Sequence, residues 1–268
     1  MNKKITAAPA ALLAVLLFIL AACTADTNHN GGTTMNTAKD TTAEAVSENA
    51  AASPVDALLD RITVNEQSSI RIAADKIIYI DPFRLPDAPH DADLIFITHA
   101  HYDHFSPEDI EKIRRDDTVF VVPESMTADV KKIGVEDADI VALAPGSSAE
   151  ILGFPVETVA AYNTNKQFHP KKNGWLGYIL TVDSARVYIA GDTDDTEEAR
   201  AVKCDIAMLP IGGTYTMTAE EARELAKALA PKAAIPTHYG TVVGKEADYD
   251  VFADSMANVV KKIQFGKY

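Results

Sequence analysis

The stretch His99-Ala100-His101-Tyr102-Asp103-His104 places three histidines and one aspartate within six residues. It follows the apolar run Leu94–Ile97, which predicts a short buried strand. Ser106-Pro107 comes next and is typical of a helix start, with serine at the N-cap and proline at the first helical position. The motif therefore lies on a loop between a strand and a helix, where binding and catalytic residues concentrate.

The spacing inside this motif predicts how its side chains are aimed. In an extended segment, residues 99, 101 and 103 point to one side because the side-chain period is two, and His104 points elsewhere. One loop can then supply ligands to two neighbouring metal positions. A solvated loop that is rich in histidine by chance is the alternative, but five of the chain's seven histidines fall at candidate metal positions.

Three more candidate ligands occur later in the chain. Asp192 and His238 each follow an apolar run that predicts a strand, and His169 precedes Pro170, which favours an extended backbone at position 169. Taken singly, each has a structural explanation, because Gly-Asp-Thr is a common turn and a histidine beside proline is usually structural. Their order after the first motif makes the set informative.

That order, His-x-His-x-Asp-His followed by His, Asp and His, resembles the metallo-β-lactamase superfamily over nearly all of residues 60–268. Within it the chain is most similar to small bacterial metal-dependent hydrolases akin to ascorbate-6-phosphate lactonase and to the phospholipase D that hydrolyses N-acylphosphatidylethanolamine. The stretches that carry this likeness are Ile80–Phe83, Pro210–Met217 and Pro236–Gly240. The resemblance implies a mixed α/β fold, a four-layer αββα sandwich with two mixed sheets face to face and helices outside.

The resemblance also implies two divalent metal ions and seven ligands. His99, His101 and His169 would hold one ion, Asp103, His104 and His238 the second, and Asp192 would bridge them. Imidazole and carboxylate donors without a thiolate fit Zn²⁺, Mn²⁺ or Fe²⁺, with zinc favoured here. A cysteine at position 192 would have pointed to a true β-lactamase, and its absence argues against β-lactam hydrolysis.

The implied activity is hydrolysis of an ester, lactone or phosphodiester bond in a small molecule. Two cations lower the pKa of a bridging water, so that hydroxide is present at neutral pH. Asp103 would also orient this hydroxide. Tyr215 and Tyr239 are candidate donors to the developing oxyanion, although tyrosines in such loops are more often packing residues.

Residues beside the ligands have two explanations each. Asp81 either supports the metal site from behind or caps a turn. Asn163 and Trp175 flank His169 and either shape the pocket or pack. Lys171-Lys172 either binds an anionic group or is a solvated basic turn.

Two other functions stay open: a metal-binding surface lipoprotein without catalysis, and a nuclease of the same superfamily. All seven ligand positions are filled, which favours catalysis. The net charge of −14, from 25 Lys and Arg against 39 Asp and Glu, disfavours a nucleic-acid partner. A flavin-linked diiron electron carrier is set aside, because those proteins have a carboxylate where His101 stands.

The first 22 residues predict a signal peptide, with Lys3-Lys4 before the apolar run Ala10–Leu20. Leu20-Ala21-Ala22-Cys23 resembles the lipobox of bacterial lipoproteins, which implies cleavage before Cys23 and lipid attachment to it. A plain secretory signal and an uncleaved anchor are the alternatives, and both also export the domain.

Export and lipidation predict a membrane-anchored lipoprotein, either outside the cytoplasmic membrane or in the periplasm or outer membrane. Residues 23–53 are polar, lack an apolar period and predict a flexible tether. Residues 54–268 then form the hydrolase domain, with strands and helices interspersed. Residues 69–73 and 76–80 predict a hairpin, a capping box at Thr218–Glu221 opens a helix, and a last helix is expected over residues 249–262.

Overall fold

The computed structural model describes residues 53–260. The predicted signal peptide, Cys23 and nearly all of the tether lie outside the described residues. Within residues 53–260, the helices are all too short or too polar to cross a bilayer.

The first half of the described chain forms a six-stranded sheet whose strands follow one another in sequence order. The strands are β1 (Ile62–Val64), β2 (Ile70–Ala73), β3 (Ile77–Ile80), β4 (Leu94–Phe96), β5 (Val119–Pro123) and β6 (Ile140–Leu143), and the helices are α1 (Pro54–Leu59), α2 (Pro107–Ile113) and α3 (Thr127–Lys132). The pairs β1–β2 and β2–β3 are antiparallel, so the predicted hairpin is confirmed. From β3 to β6 the pairing is parallel, so these strands end at one edge.

The second half forms another six-stranded sheet, in which the strands again lie in sequence order. The strands are β7 (Ser148–Ile151), β8 (Phe154–Ala160), β9 (Leu176–Val182), β10 (Ala185–Ile189), β11 (Ile206–Pro210) and β12 (Ala233–Thr237), and the helices are α4 (Glu197–Arg200), α5 (Ala219–Leu229) and α6 (Asp248–Ala253). Strands β7 to β10 pair antiparallel, whereas β10, β11 and β12 are parallel.

Alternation along the strands separates three layers of buried side chains. Ile78 and Ile80 of β3 belong to the core between the two sheets, together with Tyr178 of β9. Tyr79, between the two isoleucines, packs on the opposite face with residues of α2 and α3. Because successive side chains of a strand point to opposite faces, a doubly covered strand is apolar throughout.

The second sheet repeats this arrangement. Ile179 of β9 and Leu209 of β11 face α4, α5 and α6 in a third apolar cluster. The order of layers is therefore helices, sheet, sheet, helices, and the predicted αββα sandwich is confirmed. Each isoleucine buried in these layers contributes about 1.5–3 kcal/mol of transfer free energy.

The last predicted helix is wrong in its length. Helix α6 ends at Ala253, and Ser255 has a positive φ of 60° that interrupts the helical backbone. The chain then runs along β12, where the Ala234 N–H donates to the Asn258 carbonyl at 3.0 Å and the Val260 N–H donates to the Ala234 carbonyl at 2.8 Å. Pairing with the edge strand β12 satisfies the backbone groups of these residues. The helical pattern of the sequence does not predict this pairing. By contrast, the capping box of α5 is present as predicted.

Candidate metal centre

The candidate ligands lie where strands of both sheets end. Strand β4 leads into His99, β10 leads into Asp192, and β12 leads into His238. The two sheets are tied together beside this edge, because the Tyr178 hydroxyl donates to the Ile97 carbonyl at 2.7 Å and lies 3.3 Å from the Val121 carbonyl. The ligands of the two halves are thus positioned by rigid elements.

Glycine allows the Asp192 loop to approach the first sheet. Gly191 has a φ of 64°, and a Cβ at this position would lie 3.0 Å from the Leu176 carbonyl and 3.1 Å from the Cβ of Thr98. A larger residue would strain the backbone and displace one of these neighbours. The close approach brings the Asp192 carboxylate to the histidine motif.

The motif itself forms a turn rather than an extended segment, so the expected reason for its side-chain directions is wrong. The backbone N–H groups of His104 and Phe105 both donate to the His101 carbonyl, at 3.0 and 2.8 Å. This turn places the donor atoms of residues 99 to 104 in two adjacent groups. No strand of the described residues pairs with this segment, so its backbone groups form local hydrogen bonds instead.

Three groups of three side chains have donor atoms within 4.8 Å of one another, and one of them joins His99 and His104 to Asp192. Site 1 consists of His99, His101 and His169, and site 2 consists of Asp103, His104 and His238. Both match the ligand sets that the resemblance implies. His101 is partly exposed, and the other five side chains are buried.

Asp192 lies between the two sites. Its Oδ2 is 3.3 Å from the Nε2 atoms of both His169 and His238, and its Oδ1 is 3.3 Å from the Nε2 of His104. Since the Nε2 of His99 is 3.9 Å from the same Oδ2, the carboxylate faces two histidines of each site. This is the arrangement that a bridging ligand requires.

The donor atoms fit a pair of divalent cations. The Nε2 atoms of His104 and His169 and the Oδ1 of Asp192 are buried without a hydrogen-bond partner. Buried polar atoms are rarely left unsatisfied, and unsatisfied ones call for a water or an ion. Imidazole nitrogens and carboxylate oxygens together suit transition-metal cations.

The electrostatics of the centre keep its carboxylates ionised. Burial raises the pKa of Asp103, but a hydrogen bond with His238 and the charge of His104 outweigh it and leave that pKa at about 2. Burial likewise opposes ionisation of Asp192, and the charges of His238 and His104 nevertheless hold its pKa well below the usual range. Burial lowers the pKa of His99 strongly, so its imidazole is neutral and ready to bind a metal.

Asp81 supports the centre from behind. The Nδ1 of His104 lies 2.7 Å from its Oδ2, and because a carboxylate only accepts, the imidazole must donate through Nδ1. Thr98 donates to the same carboxylate through its N–H at 2.8 Å and its hydroxyl at 2.6 Å. The Thr98 hydroxyl is also 3.0 Å from the Nδ1 of His99. Asp81 and Thr98 thus leave the Nε2 atoms of both histidines for the metals.

Asn163 has the same function for His169. Its Oδ1 accepts from the His169 backbone N–H at 3.1 Å and faces the Nδ1 of the ring at 3.0 Å. Its amide nitrogen donates to the Asp194 carboxylate at 3.1 Å and to the Tyr215 carbonyl at 2.9 Å. Since Asp194 can only accept there, the amide orientation is fixed, and Asn163 links the His169 and Tyr215 loops.

Gln67 is a neighbour of site 2 that sequence reasoning missed. Its amide nitrogen lies 3.2 Å from the Nε2 of His238 and 3.4 Å from the Oδ2 of Asp103. Its amide oxygen accepts from the Thr241 hydroxyl at 2.9 Å. The residue is buried and has a φ of 53°, and neither property is visible in the Asn-Glu-Gln-Ser-Ser sequence around it.

A cleft of about 280 Å³ opens above Asp192, and its lining includes Asp103, Tyr102, Phe168 and Tyr215. Tyr215 is thus one of the residues that line the cleft. Tyr239 is buried in the apolar cluster under α5 and α6 and is absent from the lining of this cleft, so its packing explanation accounts for its position.

The contacts of two other residues near His169 show which of their two explanations applies. Trp175 packs beside site 1, with its ring centroid 4.9 Å from that of His99 and 5.0 Å from that of His101. Lys171 pairs with Glu198 at 2.5 Å and lies over the ring of Tyr162. This lysine is therefore engaged on the outer surface.

Comparison with known proteins agrees with this arrangement. The family described as the beta-lactamase superfamily domain matches residues 61–238. A metal-dependent hydrolase of Thermoplasma acidophilum is 34% identical over 190 residues, covering 66% of this chain and 82% of that protein. A metal-dependent hydrolase of Bacillus subtilis is 28% identical and covers 76% of this chain and 96% of its own length.

Solved structures show the same similarity. The crystal structure of a protein from Parabacteroides distasonis, assigned as a metal-dependent hydrolase, has a TM-score of 0.63 and 33% sequence identity. The match covers 76% of this chain and 93% of that one.

Proposed function

The chain belongs to the beta-lactamase superfamily, and on this basis we propose that it is a dinuclear metal-dependent hydrolase of ester, lactone or phosphodiester bonds in small molecules. The single observation that carries the proposal is the convergence of seven imidazole and carboxylate side chains on one buried spot beneath an open cleft. A non-catalytic metal-binding protein would have no need of this opening. The relatives named as metal-dependent hydrolases support the same class of activity.

The proposal assigns His99, His101 and His169 to one cation and Asp103, His104 and His238 to the other, with Asp192 between them. Zinc is the cation we favour, and Mn²⁺ or Fe²⁺ would suit the same donors. When bound, two such cations lower the pKa of a water held between them and polarise an oxygen of the substrate.

The residues of the chain supply orientation and charge. Asp103 stays ionised, because its pKa is about 2, and it can accept a hydrogen bond from the attacking water while it serves as a ligand. Tyr215 lines the cleft and can donate its phenol proton in a hydrogen bond to the oxyanion that develops. Asp81, Thr98 and Asn163 keep the imidazoles in the tautomer that directs Nε2 to the metals.

The test uses purified protein before and after chelation, with p-nitrophenyl acetate and bis(p-nitrophenyl) phosphate as probes. We expect turnover of at least one probe, its loss on chelation and its return with Zn²⁺ or Mn²⁺. Replacing His104 with Ala should lower kcat/KM by about 100-fold or more, because it removes a ligand outright. His90→Ala is the matched control, since His90 is an exposed histidine outside the centre. Equal activity with and without the cations would refute the proposal.

We also propose that the enzyme is exported and held at a membrane by a lipid on Cys23. The proposal rests on the sequence of residues 1–23 alone. Expression of the full chain and of Cys23→Ala, followed by fractionation and mass spectrometry of the N-terminus, tests it. A lipid on the wild-type protein and its loss in the variant are expected, and a soluble wild-type protein without lipid would refute this localisation.

A further inference from the structure

The cleft above the metal centre has an unusual lining for a hydrolase of anionic substrates. Its walls consist of the ligands Asp103, Asp192 and His101 and of four other side chains. Those four are Tyr102, Phe168, Tyr215 and Val242. All four are apolar or aromatic, and no lysine or arginine is among the residues that line this cleft.

Two of these aromatic side chains are exposed to a degree that packing does not explain. Tyr102 is 64% exposed and Phe168 is 46% exposed, and they are two of the three most exposed large hydrophobic residues in the described chain. Tyr102 belongs to the histidine motif, and Phe168 precedes His169. An exposed aromatic pair beside a reaction centre is typical of a ligand-binding surface.

Both rings are held in place from behind. Phe168 meets Tyr215 edge to face, with centroids 4.6 Å apart and planes at 85°. Tyr102 meets Phe83 in the same manner, with centroids 5.8 Å apart and planes at 75°. Preorganised rings offer apolar contact area at a low entropic cost. The cleft therefore presents a fixed apolar surface next to the metals.

The cleft offers no cationic side chain to a second charged group of the substrate. Asp103 and Asp192 contribute two carboxylates, whose charge two bound divalent cations would more than offset. The nearby Lys166 pairs with Asp194 at 2.7 Å behind the Asn163 loop, and Lys171 pairs with Glu198. An anionic group outside the reacting bond would find no cationic side chain among the cleft residues.

From these observations we propose that the substrate is an uncharged carboxylic ester or lactone with a flat apolar group, such as a phenyl ring, close to the bond that is hydrolysed. This inference rests on the proposed function and narrows it. The ring would lie between Tyr102 and Phe168, and the cleft volume of about 280 Å³ suits a small molecule or the end of a larger one. In the reaction, the oxygen of hydroxide bonds to the carbonyl carbon and the bond from that carbon to the alkoxide oxygen breaks. The alkoxide then takes the proton of the newly formed acid, so that the alcohol and the carboxylate are the products.

Three methyl esters with the same carbonyl environment and leaving group test the preference. They are methyl 3-phenylpropanoate, methyl butanoate and methyl 3-(4-carboxyphenyl)propanoate. We expect kcat/KM for methyl 3-phenylpropanoate to exceed that for each of the other two esters by about tenfold or more, the range that apolar pocket contacts provide. Phe168→Ala should reduce the preference over butanoate by about tenfold. Leu152→Ala, which removes the third exposed hydrophobic side chain, should leave it unchanged.

A binding measurement separates this inference from catalysis. Trp175 is the only tryptophan of the chain and contacts His101 at the cleft, so its fluorescence reports occupancy. The neutral amide 3-phenylpropanamide should quench or enhance this fluorescence saturably in metal-free protein, and Phe168→Ala should weaken the binding about tenfold. The anion 4-carboxyphenylpropanamide should bind at least tenfold more weakly than the neutral amide.

The outcomes distinguish the two proposals. This inference would be overturned if bis(p-nitrophenyl) phosphate or the carboxylated ester were turned over as fast as methyl 3-phenylpropanoate or faster. The proposed function as a hydrolase would then still stand. Failure to hydrolyse any probe with both cations bound would overturn the proposed function, and amide binding would then decide the inference alone. Amide binding that is absent, or equal in Phe168→Ala and wild type, would overturn it.

Discussion

The Nδ1 atom of His104 lies 2.7 Å from the Oδ2 of Asp81, and both side chains are completely buried. The pair joins a residue at the end of β3 to one in the histidine motif. Asp81 is therefore the residue that sets the tautomer of His104 and aims its Nε2 at site 2 and Asp192. Partners of this kind typically change metal affinity by about 10–100-fold when they are removed.

Asp81→Asn should weaken zinc binding at site 2 by about 10–100-fold. Asparagine keeps the shape of the side chain and can still bond to Thr98, but it loses the charge that holds the imidazole. Isothermal titration calorimetry with Zn²⁺ on the metal-free protein measures the effect. Asp129→Asn, which removes an acid from a surface pair with Lys132, is the control. Unchanged affinity at both sites would contradict the role given to Asp81.

Gln67→Ala should weaken site 2 as well, because the amide donates to the Asp103 carboxylate at 3.4 Å and positions it beside His238. We expect a loss of about tenfold in affinity at site 2 and no change at site 1. Gln167→Ala is the matched control, since Gln167 is exposed. The role would be refuted if the two glutamine variants bound zinc alike.

Asn163→Ala should act on the other site. It removes the acceptor that orients His169, so zinc affinity at site 1 should fall by about 10–100-fold while site 2 stays near the wild-type value. Asn165→Ala changes an exposed asparagine of the same loop and should have no effect. Titration of each variant with Zn²⁺ separates the sites, and equal losses at both sites would contradict the assignment.

Zinc binding should release protons, mainly from His104. Burial lowers the pKa of His104, but the charges of Asp192 and Asp81 outweigh it and raise that pKa well above its ordinary value. The metal-free imidazole therefore keeps its proton at neutral pH, and the cation must displace it from a ligand. Apparent affinity should rise with pH until the pKa of His104 is passed. Calorimetry in two buffers of different ionisation enthalpy measures this release, and an identical heat in both buffers would contradict it.

The sequence identifies the residues of the candidate metal centre better than it predicts the geometry that joins them. Asp192 and His238 follow apolar runs that form β10 and β12, and parallel strands end at a common edge, so their approach to the motif follows from the topology. Only the family resemblance predicts the four-layer architecture, because alternating apolar strands fit several architectures. The turn at residues 101–105 was missed, since its hydrogen bonds depend on the lack of a strand partner.

Gln67 shows what the sequence does not contain. It lies 171 positions from His238, and its contact depends on a left-handed backbone at a polar residue between two strands. Tyr239 shows the converse. It follows a ligand directly, but His238 has a φ of 56°, which breaks the strand alternation and sends the next side chain into the apolar cluster below α5.

In the proposed enzyme, two cations share the carboxylate of Asp192. Crystals of the protein soaked in Zn²⁺ and measured at the zinc absorption edge test it directly. We expect two anomalous peaks about 3.5–4 Å apart, one among His99, His101 and His169 and the other among Asp103, His104 and His238, with Asp192 between them. A single peak, or peaks away from Asp192, would contradict it.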